Sequence, residues 1–422
     1  IWSTSARHAI RAEPAKVPLA AAVALAGGGC LILSGRTTGC CDAPKLLSVK
    51  KEGGNTTRDA QYKQDCTLVD LSSYNKVVLD LEKMIVTAGA SVTMEQLSTE
   101  CLAKGVVPLV VPEFKAITVG GAVMGASLES SSGRHGEFSE TCTSYKLRLG
   151  TGEVVECSET ERQDLFDAVP GSYGSLALLL SADVRVMRAS PQVRVSYTWF
   201  DELRPALDHL LSAAVSHDFA EGLSYPESGQ GHVVIAADFD DAPSSPLTSI
   251  TEPSDPWFYE HVLALKEDGR TEEFISTVAY LHRHERGAFW MARPEGDRVR
   301  ATFGGYLLGA LSSPPLRALL DERWKTTFLF KMLKTAPQAT IADNFLITDV
   351  YADPKDVEAL VHEVRTGPFA LSTPLWFCPV RVPRRPQPFS PHGHRGGDGT
   401  LLIDVGLYGR VSQHAGIAAA RH

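Results

Sequence analysis

The sequence predicts an α+β protein built from two domains. Its 422 residues exceed what one compact core usually organises, so two domains are expected. Short strand patterns alternate with short helical patterns between Cys30 and Met187, and strands dominate. From Pro256 onward bulky aromatic residues become frequent instead. We therefore predict a first domain over residues 1–189 and a second α+β domain over residues 190–422.

Local patterns predict the elements of the first domain. The runs CLILSG, TLVDLS and VVLDLEKMIVTAG are typical of strands. Met94, Leu97 and Cys101 recur at helical spacing behind Thr93, which predicts a helix whose start is capped by the threonine hydroxyl. Two alternating runs around a Thr-Gly turn predict a hairpin that ends at Cys157. A short helix, DLFDAVP, and an apolar strand, LALLLSADVRVM, follow.

The second domain repeats this mixture of helices and strands. Helices are predicted over residues 201–217 and in ADPKDVEALVHEV, and strands in HVVIAADF and TLLIDVGLYG. A Pro/Ser-rich loop, APSSPLTSITEPSDP, separates two of these elements.

Composition excludes some classes of function. The formal net charge of −9 and the pI near 5.8 argue against nucleic-acid binding. Eight cysteines without a CxxC pair indicate reduced thiols in a reducing compartment. The apolar run over residues 17–33 is rich in alanine and glycine, so we expect a short helix at 19–26 and a buried strand at 30–34 rather than a membrane span.

A glycine-rich stretch, TVGGAVMGASLESSSGRHG, occupies residues 118–136. Backbone amides without side chains in the way can converge on an anion, so the stretch predicts a cradle for a diphosphate. A second glycine turn, GSYG at 171–174, suggests that two loops share one large ligand. Tight turns without a ligand are an equally good interpretation of the spacing. Neither GxxxxGK[ST] nor GxGxxG is present.

The order of these segments resembles a known family. VVLDLEKMIVTAGASVTMEQL, VVPLVVPE, TVGGAVMG, the hairpin and DLFDAVPGSYGSLALLLSADVRV together resemble the FAD-binding domain of the vanillyl-alcohol-oxidase (PCMH) type. The segment MGASLESSSGRHGEFSETCTSYKLRL is most similar to the Δ24-sterol reductases (24-dehydrocholesterol reductase and Diminuto/DWARF1 proteins). The similarity continues through FAEGLSY, DPWFYEHV, YLHRHERGAFW, PLWFCPV and LLIDVGLYG, from about residue 35 to residue 409.

The resemblance implies a non-covalently bound FAD that NADPH reduces, and a second domain that acts as a cap over the substrate. Some relatives attach the flavin through a histidine in an early glycine loop, but residues 34–38 contain none, and His135 is expected to be an ordinary loop histidine. The expected FAD contacts are Thr118, Val119, Gly120, Gly121, Ala122, Val123, Met124, Gly125, Ala126, Ser127, Leu128, Glu129, Ser130, Gly171, Ser172, Gly174 and Val184.

Reduction of an isolated sterol C=C bond needs a hydride from reduced flavin and a proton from an acid in a dry pocket. Polar residues among the matching aromatic segments are the candidate donors, namely Tyr280, His284, Asp349 and Tyr408. The aromatic residues suit a flat apolar ligand, although most are expected to be core. The HxH of HRHE lacks a third partner at ligand spacing, so no metal is predicted.

The sequence leaves three functions open. The first is a Δ24-sterol reductase, with an apolar sterol as its small-molecule partner. The second is a flavin oxidase or dehydrogenase of an alcohol or sugar acid, and the third is a degenerate member that serves as a structural subunit of a larger assembly. The family usually carries an N-terminal membrane anchor and further C-terminal sequence, so we expect either the cytosolic face of the endoplasmic reticulum membrane or, without an anchor, the cytosol.

Overall fold

The structure is a computed structural model that describes residues 31–32, 46–50, 66–226, 229–242, 246–291, 314–335, 345–367, 370–383, 385–392 and 399–410. Up to residue 188 the elements are β1 (Leu31–Ile32), β2 (Leu46–Val49), β3 (Cys66–Val69), β4 (Val77–Asp80), β5 (Ile85–Gly89), α1 (Met94–Leu102), β6 (Val106–Pro108), α2 (Val119–Met124), α3 (Ser132–His135), a 3-10 turn (Phe138–Thr141), β7 (Cys142–Leu149), β8 (Val154–Ser158), α4 (Gln163–Ala168) and β9 (Ala177–Arg188).

Beyond residue 188 strands again alternate with helices. The elements are β10 (Gln192–Phe200), α5 (Leu203–Ser216), β11 (Phe219–Ser224), β12 (His232–Asp240), α6 (Phe258–Glu267), β13 (Glu272–Ser276), α7 (Thr277–Leu281), α8 (Pro314–Leu319), α9 (Asp321–Trp324), α10 (Thr326–Thr335), β14 (Phe345–Ala352), α11 (Val357–Thr366), β15 (Leu375–Arg381) and β16 (Leu401–Arg410).

Two sheets precede residue 189. Strands β1, β2 and β3 form a small sheet, and β4-β5-β9-β7-β8 form an antiparallel sheet in which β6 also pairs with β9. One face of the larger sheet is apolar because Val86 and Val184 stand opposite each other across β5 and β9, both fully buried. Helices α1 and α2 contribute Met94, Leu97 and Val119 to the same core.

A seven-stranded antiparallel sheet with the order β13-β10-β12-β11-β15-β16-β14 follows residue 189. Because side chains alternate along a strand, the sheet has two different faces. One face packs on α5 and α11 in a separate apolar cluster that includes Leu207, Val361, Phe377 and Val405. The other face joins the core of the first sheet, and it carries the polar groups of the candidate site.

Most predicted elements are confirmed. The helix over Met94–Leu102 begins at Thr93, whose hydroxyl accepts a hydrogen bond from Gln96 N at 3.2 Å. The run VVLDLEKMIVTAG forms two strands, β4 and β5, because the backbone reverses at residues 81–84, where Met84 has a φ of 54°. Helix α5 and strands β12 and β16 lie where the sequence predicts them.

The N-terminal predictions fall largely outside the described residues. Only Leu31–Ile32 of the strand predicted at 30–34 is described, as β1, and the helix predicted at 19–26 lies outside the described residues. Among the helices that are described, none combines the length and the apolar character needed to cross a bilayer. The five described cysteines are free thiols, four of them buried.

Candidate functional site: a glycine surface joined to a buried ionic network

The glycine-rich stretch is not one continuous loop. It contains the short helices α2 and α3. Thr118 begins α2, and its hydroxyl accepts a hydrogen bond from Gly121 N at 3.1 Å. A Cβ atom on Gly120 would lie 3.0 Å from the carbonyl oxygen of Ala90. The glycine therefore lets α2 pack closely against the segment that leaves β5.

An open nest of amides at the start of α2 was the wrong expectation. Val119 N donates to Val92 O at 2.8 Å, and Gly120 N donates to Ala90 O at 2.9 Å. These amides serve the contact between helix and strand, so they are not free to bind a phosphate. What the stretch offers a cofactor is a partly exposed surface of nearly bare backbone, which comprises Gly120, Gly121, Met124, Gly125, Ser127 and Leu128.

The second glycine turn joins this surface directly. Gly171 N donates to Val123 O at 3.2 Å, and Tyr173 N donates to Met124 O at 3.0 Å. Gly171 has a φ of +68°, and a Cβ atom there would lie 2.3 Å from Phe389 O. Both facts require glycine at this position. The two loops thus form one contiguous surface.

The other predicted FAD contacts of the stretch differ in exposure. Ala122, Val123 and Val184 are fully buried, so their side chains belong to the core rather than to a ligand surface. Glu129 and Ser130 are also buried, and both accept hydrogen bonds from Arg283 rather than facing outward.

Tyr280 and His284 lie inside a buried ionic network. The guanidinium of Arg283 donates from Nε to Glu221 Oε1 and from Nη2 to Glu129 Oε1, both at 2.7 Å. His284 Nε2 lies 2.9 Å from the second oxygen of Glu221, and the Tyr280 ring lies 4.3 Å from the guanidinium carbon. Neither residue has a surface from which it could reach a substrate directly, since both are at most 1% exposed.

The pKa values of the network follow from burial and from Arg283. Burial raises the pKa of Glu129, and Arg283 opposes that rise. The pKa of Glu221 ends below its usual value, because the attraction of Arg283 and the hydrogen bonds from His284 and Arg283 outweigh the effect of burial. Burial lowers the pKa of His284, which favours the neutral imidazole.

Asp349 and Tyr408 form a separate pair on the neighbouring strands β14 and β16. The hydroxyl of Tyr408 donates to Asp349 Oδ1. The Tyr408 ring folds back over Gly406, where a Cβ atom would lie 2.8 Å from the ring, and Gly406 stands opposite Asp349 in the sheet. Glycine at 406 therefore creates the space that lets the phenol reach the carboxyl.

Asp349 is unlike the other candidates because it is both accessible and desolvated. The side chain is exposed, whereas Tyr408 is partly buried. Burial still raises the pKa of Asp349 to about 6, and the hydrogen bond from Tyr408 limits the rise.

The sequence did not single out several residues of the site. Arg283 and Glu221 lie in the matching segments YLHRHERGAFW and FAEGLSY, but no spacing marked them. Asp404 is fully buried on the same face as Asp349, and burial and Asp349 together raise its pKa well above its usual value. Alternation along TLLIDVGLYG could have placed Asp404 and Tyr408 on one face.

The aromatic residues of the second domain are mainly core. Trp257, Trp290 and Tyr280 are fully buried, and Phe377 faces the opposite cluster under α5 and α11. Phe289 stacks on His284 with ring centres 4.1 Å apart and contacts Tyr408 at 5.1 Å. These rings therefore pack behind Tyr408 instead of lining an open pocket.

The two histidines of HRHE do not act together. His282 Nε2 lies 3.1 Å from Ser98 Oγ, and its Nδ1 lies 3.1 Å from the Glu113 carbonyl oxygen. Within the described ranges, the atoms of Glu129, Glu221 and His284 do approach within metal-ligand spacing, inside 4.8 Å. Arg283 already donates to both carboxylates, so this group is a charge-balanced network and does not favour a cation.

Comparison with known proteins agrees with this architecture. Residues 40–158 match the family described as FAD binding domain. The protein is 29% identical over 378 residues to the Delta(24)-sterol reductase of Homo sapiens. This alignment covers 89% of this chain and 69% of that protein. It is 27% identical over 370 residues to the Delta(24)-sterol reductase of Arabidopsis thaliana, covering 81% and 63% respectively. A match to cytokinin dehydrogenase 8 of Oryza sativa subsp. indica spans 137 residues at 29% identity, 32% of this chain and 26% of that protein.

The FAD-binding match covers the glycine surface, and the α+β architecture surrounds it. The protein is therefore an FAD-dependent oxidoreductase with a PCMH-type flavin domain. Within that class, its sequence is similar to the Delta(24)-sterol reductases over most of its length.

Proposed function

We propose that this protein reduces a C=C bond in the aliphatic tail of a sterol, with NADPH as the source of electrons. The similarity to Delta(24)-sterol reductases over most of the sequence supports the substrate class and a role in sterol biosynthesis. The observation that carries the chemistry is the Asp349–Tyr408 pair, an accessible carboxyl whose pKa lies near neutrality.

FAD fits the glycine surface of the first domain. Gly121, Gly125 and Ser127 are partly exposed, and Gly171 and Gly174 have positive φ values that hold the second turn against them. We propose that these backbone segments contact the cofactor without a covalent link. A flavin held by these segments would supply the hydride chemistry, with NADPH as the reductant.

Asp349 is the proposed proton donor to the other carbon. An isolated alkene accepts a hydride poorly, so proton transfer should lead or accompany hydride transfer. When Asp349 is protonated, Tyr408 donates to one carboxyl oxygen and leaves the acidic O–H on the accessible side. The same hydrogen bond stabilises the carboxylate that remains, which makes Asp349 a better acid.

This role predicts a defined pH dependence. The acid form of Asp349 is present below a pKa of about 6, so kcat/KM should fall as the pH rises through that value. Replacing Tyr408 with phenylalanine removes the interaction that lowers this pKa, so the fall should move to higher pH. Measuring kcat/KM against pH for both proteins tests the assignment. An unchanged profile in Tyr408→Phe would remove Tyr408 from the mechanism.

The function itself is tested by the absorbance spectrum of the purified protein. We expect flavin bands that bleach on anaerobic addition of NADPH and recover when a Δ24-sterol is added. Bands that ignore NADPH but bleach with an alcohol substrate would contradict the reductase. That result would favour a dehydrogenase, which is the second candidate because of the match to a cytokinin dehydrogenase.

Two further assignments complete the proposal. A boundary between FAD and cap domains near residue 189 is supported by the sheets, because no sheet combines strands from both sides of that position among the residues described. Similarity to the sterol reductases supports a location at the endoplasmic reticulum membrane, facing the cytosol.

A further inference from the structure

Arg283 is the most completely enclosed cation among the residues described here. Its side chain has no exposed surface, and its guanidinium nitrogens all donate hydrogen bonds to other groups of the protein. Besides the two carboxylates, Nη1 donates to Tyr280 O at 2.9 Å, and Nη2 donates to Ser130 Oγ at 3.2 Å. It therefore has no role in binding a substrate directly.

The two carboxylates that Arg283 binds come from the two sides of the protein. Glu129 follows the glycine surface that we assign to FAD, and Glu221 lies in β11 of the seven-stranded sheet. The backbone makes the same junction, because Ala220 N donates to Ser130 O at 2.8 Å. Arg283 thus links Glu129, at the end of the glycine surface, to strand β11 of the seven-stranded sheet.

From Glu221 the contacts continue to the proposed acid. Trp376 Nε1 donates to Glu221 Oε2 at 2.7 Å, and His284 Nε2 lies beside the same oxygen. His284 stacks on Phe289, which contacts the ring of Tyr408. Trp290 follows Phe289 in the sequence, and its Nε1 donates to Tyr408 O at 2.7 Å. A continuous series of contacts therefore joins Glu129, at the end of the glycine surface, to the side chain of Tyr408, which donates a hydrogen bond to Asp349.

We propose that Arg283 is a positioning residue that couples FAD binding at the glycine surface to sterol binding at the Asp349–Tyr408 pair. When FAD binds, it restricts the positions of Glu129 and Ser130. Through Arg283 and Glu221, this restriction also fixes the aromatic rings that pack against Tyr408. Because such coupling is reciprocal, each ligand must raise the affinity for the other by the same factor. The inference rests on the proposed function, in which FAD and a sterol are the two ligands.

The charges of the network identify the informative variant. Removing Arg283 would leave two buried carboxylates without a partner, and removing Glu221 would leave the cation short of one, so both changes threaten folding. Glu129→Gln keeps the side-chain volume and leaves the Glu221–Arg283 pair neutral. The glutamine amide has a single acceptor oxygen, so it cannot accept both from Arg283 Nη2 and from Ser130 as the two oxygens of the Glu129 carboxylate do, and this contact is weakened.

The test measures the dissociation constant of FAD, by flavin fluorescence, with and without a saturating Δ24-sterol. In the wild-type protein the sterol should tighten FAD binding about tenfold. In Glu129→Gln the factor should fall to about one, although each ligand still binds alone. If the folded variant keeps the wild-type factor, the proposal is wrong. Should Glu129→Gln not fold, Ser130→Ala, which removes the hydroxyl donor to Glu129 and one contact of Arg283, provides the same comparison.

Asp218→Asn is the matched control. Asp218 pairs with Arg134 at 2.7 Å, which is a second ionic contact between the same two sides of the protein, but it is part-exposed and does not reach Glu221. This variant should keep the tenfold factor, and loss of coupling in it would reassign the effect to general docking of the two sides. Failure of the proposed function gives a different result. In that case the wild-type protein binds neither FAD nor the sterol, so no change in FAD affinity is measured in any variant.

Discussion

Replacing Asp349 with asparagine is expected to abolish reduction of the sterol double bond while FAD remains bound. Asparagine keeps the shape of the side chain and can still accept the hydrogen bond from Tyr408, but it has no acidic proton to give. Loss of a general acid lowers turnover by about 10²- to 10⁴-fold. The measurement is steady-state turnover at saturating NADPH, together with the flavin spectrum before and after the reductant is added.

The spectrum separates the proton step from the earlier steps. Bleaching by NADPH should survive in Asp349→Asn, because the carboxyl acts only on the sterol. Asp240→Asn is the control, since Asp240 lies in β12 of the same seven-stranded sheet and, among the described residues, its side chain accepts from the backbone N of Ala242. Turnover close to wild type in Asp349→Asn would show that the proton comes from another group, and Asp404 would be tested next.

Replacing Glu221 with leucine is expected to destabilise the protein strongly. Glu221 is fully buried and binds Arg283, His284 and Trp376 through its two oxygens. Leucine would leave Arg283 with one carboxylate and would strand the Trp376 donor. Breaking a buried ion pair in this way costs about 3–5 kcal/mol of unfolding free energy. Urea denaturation of the FAD-loaded protein measures the loss.

Glu273→Leu provides the comparison for that experiment. Glu273 is a buried carboxyl in the same sheet, but its close partners are the hydroxyl of Tyr197 at 2.6 Å and the imidazole of His261 at 2.8 Å. Its loss leaves polar groups unpaired but does not leave a fully buried cation without a partner. We therefore expect a loss of about 1–3 kcal/mol of unfolding free energy. Equal losses in the two variants would mean that Arg283 does not depend on Glu221.

Sequence reasoning was most reliable where the signal is local. The spacing of Met94, Leu97 and Cys101 behind Thr93 predicts helix α1, and the capping hydrogen bond is present. Alternating side chains predict the hairpin of β7 and β8 because one face of that sheet is buried. The resemblance carried by the glycine segment predicts the FAD-binding domain, which the match over residues 40–158 confirms.

The interpretation of the glycines was less successful, for a physical reason. A run of glycines indicates that something approaches the backbone closely, but it does not say what. At Gly120 the neighbour is the carbonyl of Ala90, and at Gly171 it is the backbone of residue 389, more than two hundred positions away. Both approaches are made by the protein itself, although the surface beside them remains available to a cofactor.

The sequence by itself determined the α+β class, most element positions and the flavin family, because these depend on periodicity, caps and short motifs. Only the tertiary structure distinguished the four candidate donors from one another. Tyr280 and His284 lie in a fully buried network, whereas Asp349 is exposed and accepts a hydrogen bond from Tyr408. The physical reason is that burial and ionic pairing depend on strands that are distant in sequence, such as β11 with β15 and β14 with β16, and no local pattern records those pairings.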